Sequence, residues 1–181
     1  QEVGEVSFSV EAGNDRWKHF FFNAFPGKEN RESGLDSLAF AGDVFLTRRI
    51  HNTVDDDGYE KPLKSVKKYL SEPDLALVNL EAVVTGGGRP VDKGENNPYY
   101  YRGRPDLLQV LEYAGVDAVA QANNHVGDYG PESVGESIKL IEDAGITPVG
   151  AGVNFSDASR PRYLRAGDTV VGLIGVDSVK K

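Results

Sequence analysis

Val116-Asp117-Ala118-Val119-Ala120-Gln121-Ala122-Asn123-Asn124-His125-Val126-Gly127-Asp128-Tyr129-Gly130 is the stretch on which the fold turns. The run from Val116 to Ala120 is predominantly apolar, and an amide, an imidazole and a carboxylate follow it closely. A helix-like run then opens at Pro131. A strand that ends in polar groups and feeds a helix is how a site at the carboxyl edge of a sheet reads. Two earlier runs end the same way. Leu38-Ala39-Phe40-Ala41 reaches Gly42-Asp43, and Leu75-Ala76-Leu77-Val78 reaches Asn79-Leu80-Glu81. Short unbroken apolar runs of this kind predict fully buried strands of a parallel sheet. In such a sheet all three ends fall on one edge.

Between these strands the spacing changes to that of helices. Leu63, Val66, Tyr69 and Leu70 share one helical face, with Lys64, Lys67 and Lys68 mostly opposite, and Pro73 stops the run. Pro105 opens a second helix with Leu107, Leu108 and Leu111 inward, and Gly115 is placed to cap it. A third runs from Pro131 to about Ala144, with Val134, Ile138 and Ile141 inward. Ile146 to Val149 and Val170 to Ile174 are further strands, and Arg162-Tyr163-Leu164 is a weaker one. Alternating elements predict an α/β fold whose sheet is mainly parallel or mixed, with helices covering a face.

The remaining segments carry less. Glu5 to Val10 alternates like a strand. Trp17, Phe20, Phe21, Phe22 and Phe25 form an aromatic cluster that packs on the domain body or meets a partner. Asp55-Asp56-Asp57-Gly58 reads as a solvated acidic turn, because it lacks the alternating oxygens and distal Glu of a calcium loop. The polar loop from Gly86 to Pro98 has the length of a binding loop.

Bulk properties narrow the classes. A chain of 181 residues, 39% hydrophobic and 27% charged, builds one globular domain. Twenty basic residues against 28 acidic ones give a net charge of −8, which argues against nucleic-acid binding. With no cysteine, disulfides, thiol catalysis and thiolate metal sites are excluded for this stretch. With no methionine even at position 1, the sequence is expected to begin at a processed or cut end. No apolar run approaches the ~20 residues of a membrane span.

At the three strand ends, Asp43 and Glu81 would repel unless a cation lay between them. A divalent metal removes that conflict. Its ligands would be the Asp43 and Glu81 carboxylates and the Asn124 carbonyl oxygen, with or without an imidazole; the choice is manganese, zinc, iron or magnesium, and a histidine ligand tips it away from magnesium. His125 would donate a proton to a leaving group or stabilise developing charge. Taken singly, each residue has a plainer role. Asp43 is a turn former after Gly42, and Glu81 is a solvated strand end. Asn123 holds the loop through backbone hydrogen bonds, or contacts substrate. Asp128 caps the next helix or belongs to the site. His19 and His51 are expected at the surface.

Gly42-Asp43-Val44, Asn79-Leu80-Glu81 and Ala122-Asn123-Asn124-His125 through Asp128-Tyr129-Gly130 resemble the signature of the CapA family of bacterial poly-gamma-glutamate capsule synthesis proteins. Val149-Gly150-Ala151-Gly152 and Val170 to Gly175 fit in order and spacing, so the resemblance covers roughly residues 37 to 177. It implies the N-terminal part of an αββα metallophosphoesterase-like sandwich after an N-terminal extension over residues 1 to 36. It implies Asp43 as a first-metal ligand, Glu81 as a bridging ligand and Asn124 as a second-metal ligand. His125 and Asp128 would be catalytic, with Asn123 and Arg48 toward substrate. Partners implied are an anionic polymer such as poly-gamma-glutamate or a phosphoester, with other capsule-synthesis proteins, at the cell envelope, either on its extracytoplasmic side or membrane-associated in the full-length protein. The reaction would be phosphoester or amide hydrolysis; the alternative is a non-catalytic polymer-handling or assembly component. Two departures stand out. Phe45 occupies the position of a metal-binding histidine in related phosphoesterases, and no later histidine motif occurs before Lys181.

Overall fold

The computed structural model of the protein describes residues 36–179. The expected strand over Glu5 to Val10 and the aromatic cluster from Trp17 to Phe25 lie outside the described residues.

Four parallel strands form the central sheet: β1 (Leu38–Val44), β2 (Leu75–Leu80), β5 (Ala118–Ala120) and β6 (Thr147–Val149), in that spatial order. Each crossover carries helix. α1 (Arg49–Asp57) and α2 (Lys67–Ser71) link β1 to β2, α3 (Leu108–Ala114) precedes β5, and α4 (Pro131–Asp143) leads to β6. Two strands of two residues each, β3 (Val83–Val84) and β4 (Arg102–Gly103), pair in parallel beside the main sheet. A short helix α5 (Phe155–Ala158) precedes an antiparallel hairpin of β7 (Arg162–Ala166) and β8 (Thr169–Leu173). The predicted α/β class with a parallel sheet is what the chain adopts.

Strand alternation sends side chains to two cores. Ala76, Val78 and Leu80 of β2 face the helices, joining Leu107, Val110, Leu111 and Ile141. Leu75 and Leu77 face the opposite way, toward Ala166 and Leu173 of the hairpin. The sheet is therefore covered by helices on one side and by β7–β8 on the other. Gly115 ends α3 in the left-handed region, at φ 78°. A Cβ there would lie 2.8 Å from Ser71 Cβ, so only glycine lets α3 close against α2.

Several expectations need correction. β1 is an edge strand, with Phe40, Ala41, Gly42 and Asp43 exposed, rather than a fully buried one. The acidic run Asp55–Asp57 is the last turn of α1, and Asp55 takes a bidentate ion pair from Arg104 at 2.7 and 2.9 Å. The residues from Tyr59 to Val66 form turns, so the helix expected from Pro62 begins only at Lys67. On α4 the buried positions are Ser133, Ser137 and Ile141, not Val134 and Ile138. Small serines win there because α4 packs directly on β3, where Ser137 Oγ accepts from Val84 N at 3.0 Å.

Candidate functional site

The register of the parallel sheet builds the site. Asp43 of β1 lies opposite Asn79 of β2, after an irregularity between Phe40 and Asp43. Asn79 Nδ2 donates to Asp43 Oδ1 at 2.8 Å. Asn79 Oδ1 in turn accepts from Asn123 Nδ2 at 3.1 Å, so a chain of amides links β1, β2 and the loop after β5. Glu81 follows β2 and reaches the same edge, its backbone N–H bonded to Val44 O at 3.2 Å.

The loop from Gln121 to Gly130 is held from below. Gln121 is fully buried, and its Nε2 donates to Ala82 O at 3.1 Å. Its Oε1 accepts from Ser137 Oγ at 3.2 Å. Ala122 rests against Gly150 and Gly175. Gly150 has φ 83°, and a Cβ on it would come 2.6 Å from Ala122 Cβ. The Gly150 and Gly175 of the expected glycine-bearing segments thus give the loop room to turn. Asn123 spends both Nδ2 hydrogens, on Asn79 Oδ1 and on Leu80 O at 3.0 Å, and its Oδ1 accepts from His125 N at 3.0 Å. It is placed as the brace of the loop.

His125 and Asp128 form a buried pair. His125 Nδ1 lies 2.8 Å from Asp128 Oδ2, and Nε2 points toward Glu81 Oε1 at 3.7 Å. Asp128 does not cap α4; that position belongs to Gly130, without a side-chain bond. Burial pushes the Asp128 carboxyl up, but Lys93, His125 and the Tyr101 N–H at 2.8 Å outweigh it and hold it below the usual carboxylate range. Tyr101 lays its ring 4.2 Å from the His125 ring, centroid to centroid. Arg48, at φ 54°, places its guanidinium 4.9 Å from the Tyr101 ring centroid and 5.3 Å from that of Tyr99. A cleft of about 460 Å³ opens beside it, lined by Phe45, Thr47, Arg48, Arg49, Ile50 and Tyr101.

Asp43 and Glu81 meet as carboxyl groups. Burial, then the hydrogen bond to Asp43, then the charge of Asp43, push Glu81 up to about 7. Two carboxyls that must share a proton are chemically suited to a divalent cation, whose charge removes the need for that proton. The residues present fit such an ion as part of its shell. Among the described residues no group of three or more His, Cys, Asp or Glu gathers to hold a metal. The half-buried Asn124 amide, in the loop that carries His125, offers a neutral oxygen as a further donor.

The structure thus brings Asp43, Glu81, Asn123, His125 and Asp128 into one connected site, and sets Arg48 at its rim. His51 lies elsewhere, half-buried on α1. Sequence reading passes over Lys93, Tyr101, Gln121 and a role for Asn79. For Asn79 a signal exists, since it stands directly before Leu80-Glu81 at a strand end. For Lys93 none does, because it is one cation in a polar loop.

A model of the family described as bacterial capsule synthesis protein PGA_cap matches residues 37–181. The chain is 26% identical over 148 residues to the capsule biosynthesis protein CapA of Bacillus anthracis, covering 81% of this chain and 36% of that protein. A protein of Mycobacterium tuberculosis named "Probable polyglutamine synthesis accessory protein" is 32% identical over 108 residues, 58% of this chain and 28% of its own length. The PGA biosynthesis protein CapA of Bacillus subtilis is 22% identical over 144 residues, 79% of this chain and 37% of its own length. The chain therefore spans about a third of the length of these curated relatives. Among the described residues no helix is long and apolar enough to cross a membrane. With the family model matching residues 37–181, this chain belongs to the PGA_cap family of bacterial capsule synthesis proteins.

Proposed function

We propose that this chain carries the first part of a metal-dependent hydrolase site that acts on an anionic polymer or phosphoester in capsule synthesis at the cell envelope. The observation that carries the reading is the Asp43–Glu81 carboxyl pair facing the buried His125–Asp128 pair across 3.7 Å. The names of the relatives, which refer to capsule and polyglutamine synthesis, supply the polymer context. Asp43, Glu81 and Asn124 would hold a divalent ion, of manganese, zinc, iron or magnesium, and such an ion polarises a phosphoryl or carbonyl group and acidifies a bound water. The chain's own residues do the rest. Asn79 and Asn123 fix the carboxylate and the loop. Asp128 orients His125 and stabilises its charged form, and Nε2 moves a proton at the edge where the carboxyls lie. Arg48, held on two aromatic rings, meets the negative charge of the substrate.

A non-catalytic polymer-handling role is the rival, favoured by the lack of a three-residue acidic or histidine cluster among the described residues. Equilibrium dialysis of the purified chain with Mn²⁺ or Zn²⁺, followed by hydrolysis of a generic phosphoester and of a gamma-glutamyl amide, separates the two. Stoichiometric metal, and turnover lost in His125→Ala, support the hydrolase. Absence of both metal and turnover overturns the hydrolase reading for this chain.

A further inference from the structure

The cleft beside Arg48, of about 460 Å³, has the size of a small-ligand site. Phe45, Ile50 and Tyr101 give it an apolar wall, and Arg48 and Arg49 bring two guanidiniums to it. The chain as a whole carries a net charge of −8. Among the described residues, however, the cleft is lined by two cations and no carboxylate, a local reversal of sign that draws anions. That charge comes from side chains. The Ile50 and His51 amides at the start of α1 already donate to Thr47 O and Arg48 O, at 3.1 and 3.2 Å. Arg49 is exposed at the first position of α1. Arg48 lies just before the helix at φ 54° and ψ −118°, in a region that favours glycine. Strain of this kind persists where a side chain is needed in a fixed place. Its guanidinium lies over the Tyr99 and Tyr101 rings, 5.3 and 4.9 Å from their centroids. Held on rings, a guanidinium keeps its N–H fork available for a carboxylate.

We propose that this cleft is a second anion subsite, which takes the unit next to the reacting one in a polymer that carries carboxylates along an aliphatic chain. The proposal rests on the anionic polymer of the reading above, yet it concerns the cleft and is measured without metal or turnover. Two residues tie the cleft to the reacting edge. Tyr101 lines the cleft, and its ring lies 4.2 Å from that of His125. Phe45 lines it as well, two residues after Asp43 and with its ring 5.1 Å from that of Tyr101. A chain with one unit beside His125 therefore crosses these rings to reach Arg49. Its methylenes gain from the apolar wall and its carboxylates from the guanidiniums. A polyphosphate satisfies only the guanidiniums, because its strongly hydrated oxygens meet Phe45 and Ile50 with no apolar gain. A single small anion cannot occupy both the cleft and the reacting edge. Arg48 borders both, so Arg49 is the residue that reads the second unit and makes the site select a chain over a lone unit.

The test is titration calorimetry on the whole chain without added metal, near neutral pH and at about 0.1 M salt. The probes are the N-acetylated γ-linked trimer of glutamate, glutarate as a single aliphatic dicarboxylate, and tripolyphosphate, whose charge is comparable to that of the trimer. The trimer is expected to bind at least about tenfold more tightly than glutarate and about fivefold more tightly than tripolyphosphate. Arg49→Gln, a change at an exposed position that leaves the fold intact, should weaken the trimer about tenfold. Arg165→Gln removes the same charge from an exposed position on β7 and should leave the trimer within about twofold of the parent. Four results overturn the proposal: a parent chain that does not bind the trimer, equal affinity for trimer and glutarate, tripolyphosphate bound as tightly as the trimer, or equal losses in Arg49→Gln and Arg165→Gln. The hydrolase reading fails separately. A chain with neither metal nor turnover that still binds the trimer through Arg49 loses the catalysis and keeps the subsite.

Discussion

Tyr101 is bound to the site twice: its backbone N–H donates to Asp128 Oδ2 at 2.8 Å, while its ring lies 4.2 Å from that of His125. The ring is also edge-on to Phe45, with centroids 5.1 Å apart, and supports Arg48. The backbone bond survives any substitution except proline, so the ring can be tested alone. Tyr101→Phe keeps the ring and should stay within about 0.5 kcal/mol of the parent in urea unfolding. Tyr101→Leu removes the aromatic contacts of a half-buried residue and should cost about 1–3 kcal/mol. It should also lower turnover while leaving metal affinity within about twofold. Equal loss in Phe and Leu variants would place the effect in the hydroxyl instead.

Glu81 gives the protein a specific pH dependence. Its carboxyl is pushed from 4.5 up to about 7 by burial and by Asp43. A raised carboxyl means that the folded state holds the proton more tightly than the unfolded chain. The associated stability is therefore complete below pH 4.5 and is lost as pH climbs through about 7. The side chain is 16% exposed, so the loss is on the order of 1–3 kcal/mol after discounting for solvent screening. Denaturation curves between these pH limits should show that slope, and Glu81→Gln should flatten it. Saturating Mn²⁺ should flatten it as well, because a cation replaces the proton. A slope unchanged by Glu81→Gln would assign it to other groups.

Ser137 joins α4 to the floor of the site. Its hydroxyl accepts from Val84 N and donates to Gln121 Oε1, both in the interior. Ser137→Ala strands a buried amide N–H and a buried carbonyl oxygen. That should cost about 1–3 kcal/mol per stranded group in urea unfolding. Gln121→Leu adds the loss of the bond to Ala82 O. The double variant should cost less than the sum of the two, because each single change breaks a shared bond.

The parts of this architecture that were legible are those written in periodicity. Leu75-Ala76-Leu77-Val78 and the segments around Ala118 and Val149 announce parallel strands because both faces of such strands are buried. The cap at Gly115 was legible because only glycine tolerates that backbone. α1 was not, because Thr53 to Asp57 lacks an apolar face and only Val54 is buried. The inward serines of α4 were hidden for the opposite reason, since a hydrophobic pattern cannot reveal a helix that packs through hydroxyls. At the site, Asp43, Glu81, Asn124 and His125 were visible as polar strand ends. Lys93 and Tyr101 approach through tertiary contacts across a loop, which no local spacing encodes.

Gly150 marks the steric limit of the loop that carries Asn124 and His125. At φ 83° any side chain is strained, and an added Cβ would also meet Ala122 Cβ at 2.6 Å and Gly175 Cα at 2.8 Å. Gly150→Ala should therefore cost about 2–4 kcal/mol, combining backbone strain and overpacking. Ala122→Gly in the same chain should recover only part of this, because Gly175 still blocks the new methyl group. Thermal unfolding of the three variants checks the order. Full recovery by Ala122→Gly would remove Gly175 from the account.

Arg48 combines strain with position. Its φ of 54° and ψ of −118° belong to a region that favours glycine, and backbone strain of this kind costs about 1–3 kcal/mol. The guanidinium recovers part of that from the rings of Tyr99 and Tyr101, at about 0.5–1 kcal/mol for exposed contacts. Arg48→Gly relieves the strain and forfeits the contacts, so stability should be unchanged or rise by up to about 2 kcal/mol. If Arg48 receives the negative charge of the substrate, the same change should raise KM for an anionic substrate about tenfold and leave kcat within about threefold. Arg48→Ala keeps the strain and loses the contacts, so it should be less stable than Arg48→Gly with the same KM. Kinetics on a charged and an uncharged ester separate the two effects. A KM that rises equally for both would assign Arg48 to holding the rings rather than to reading charge.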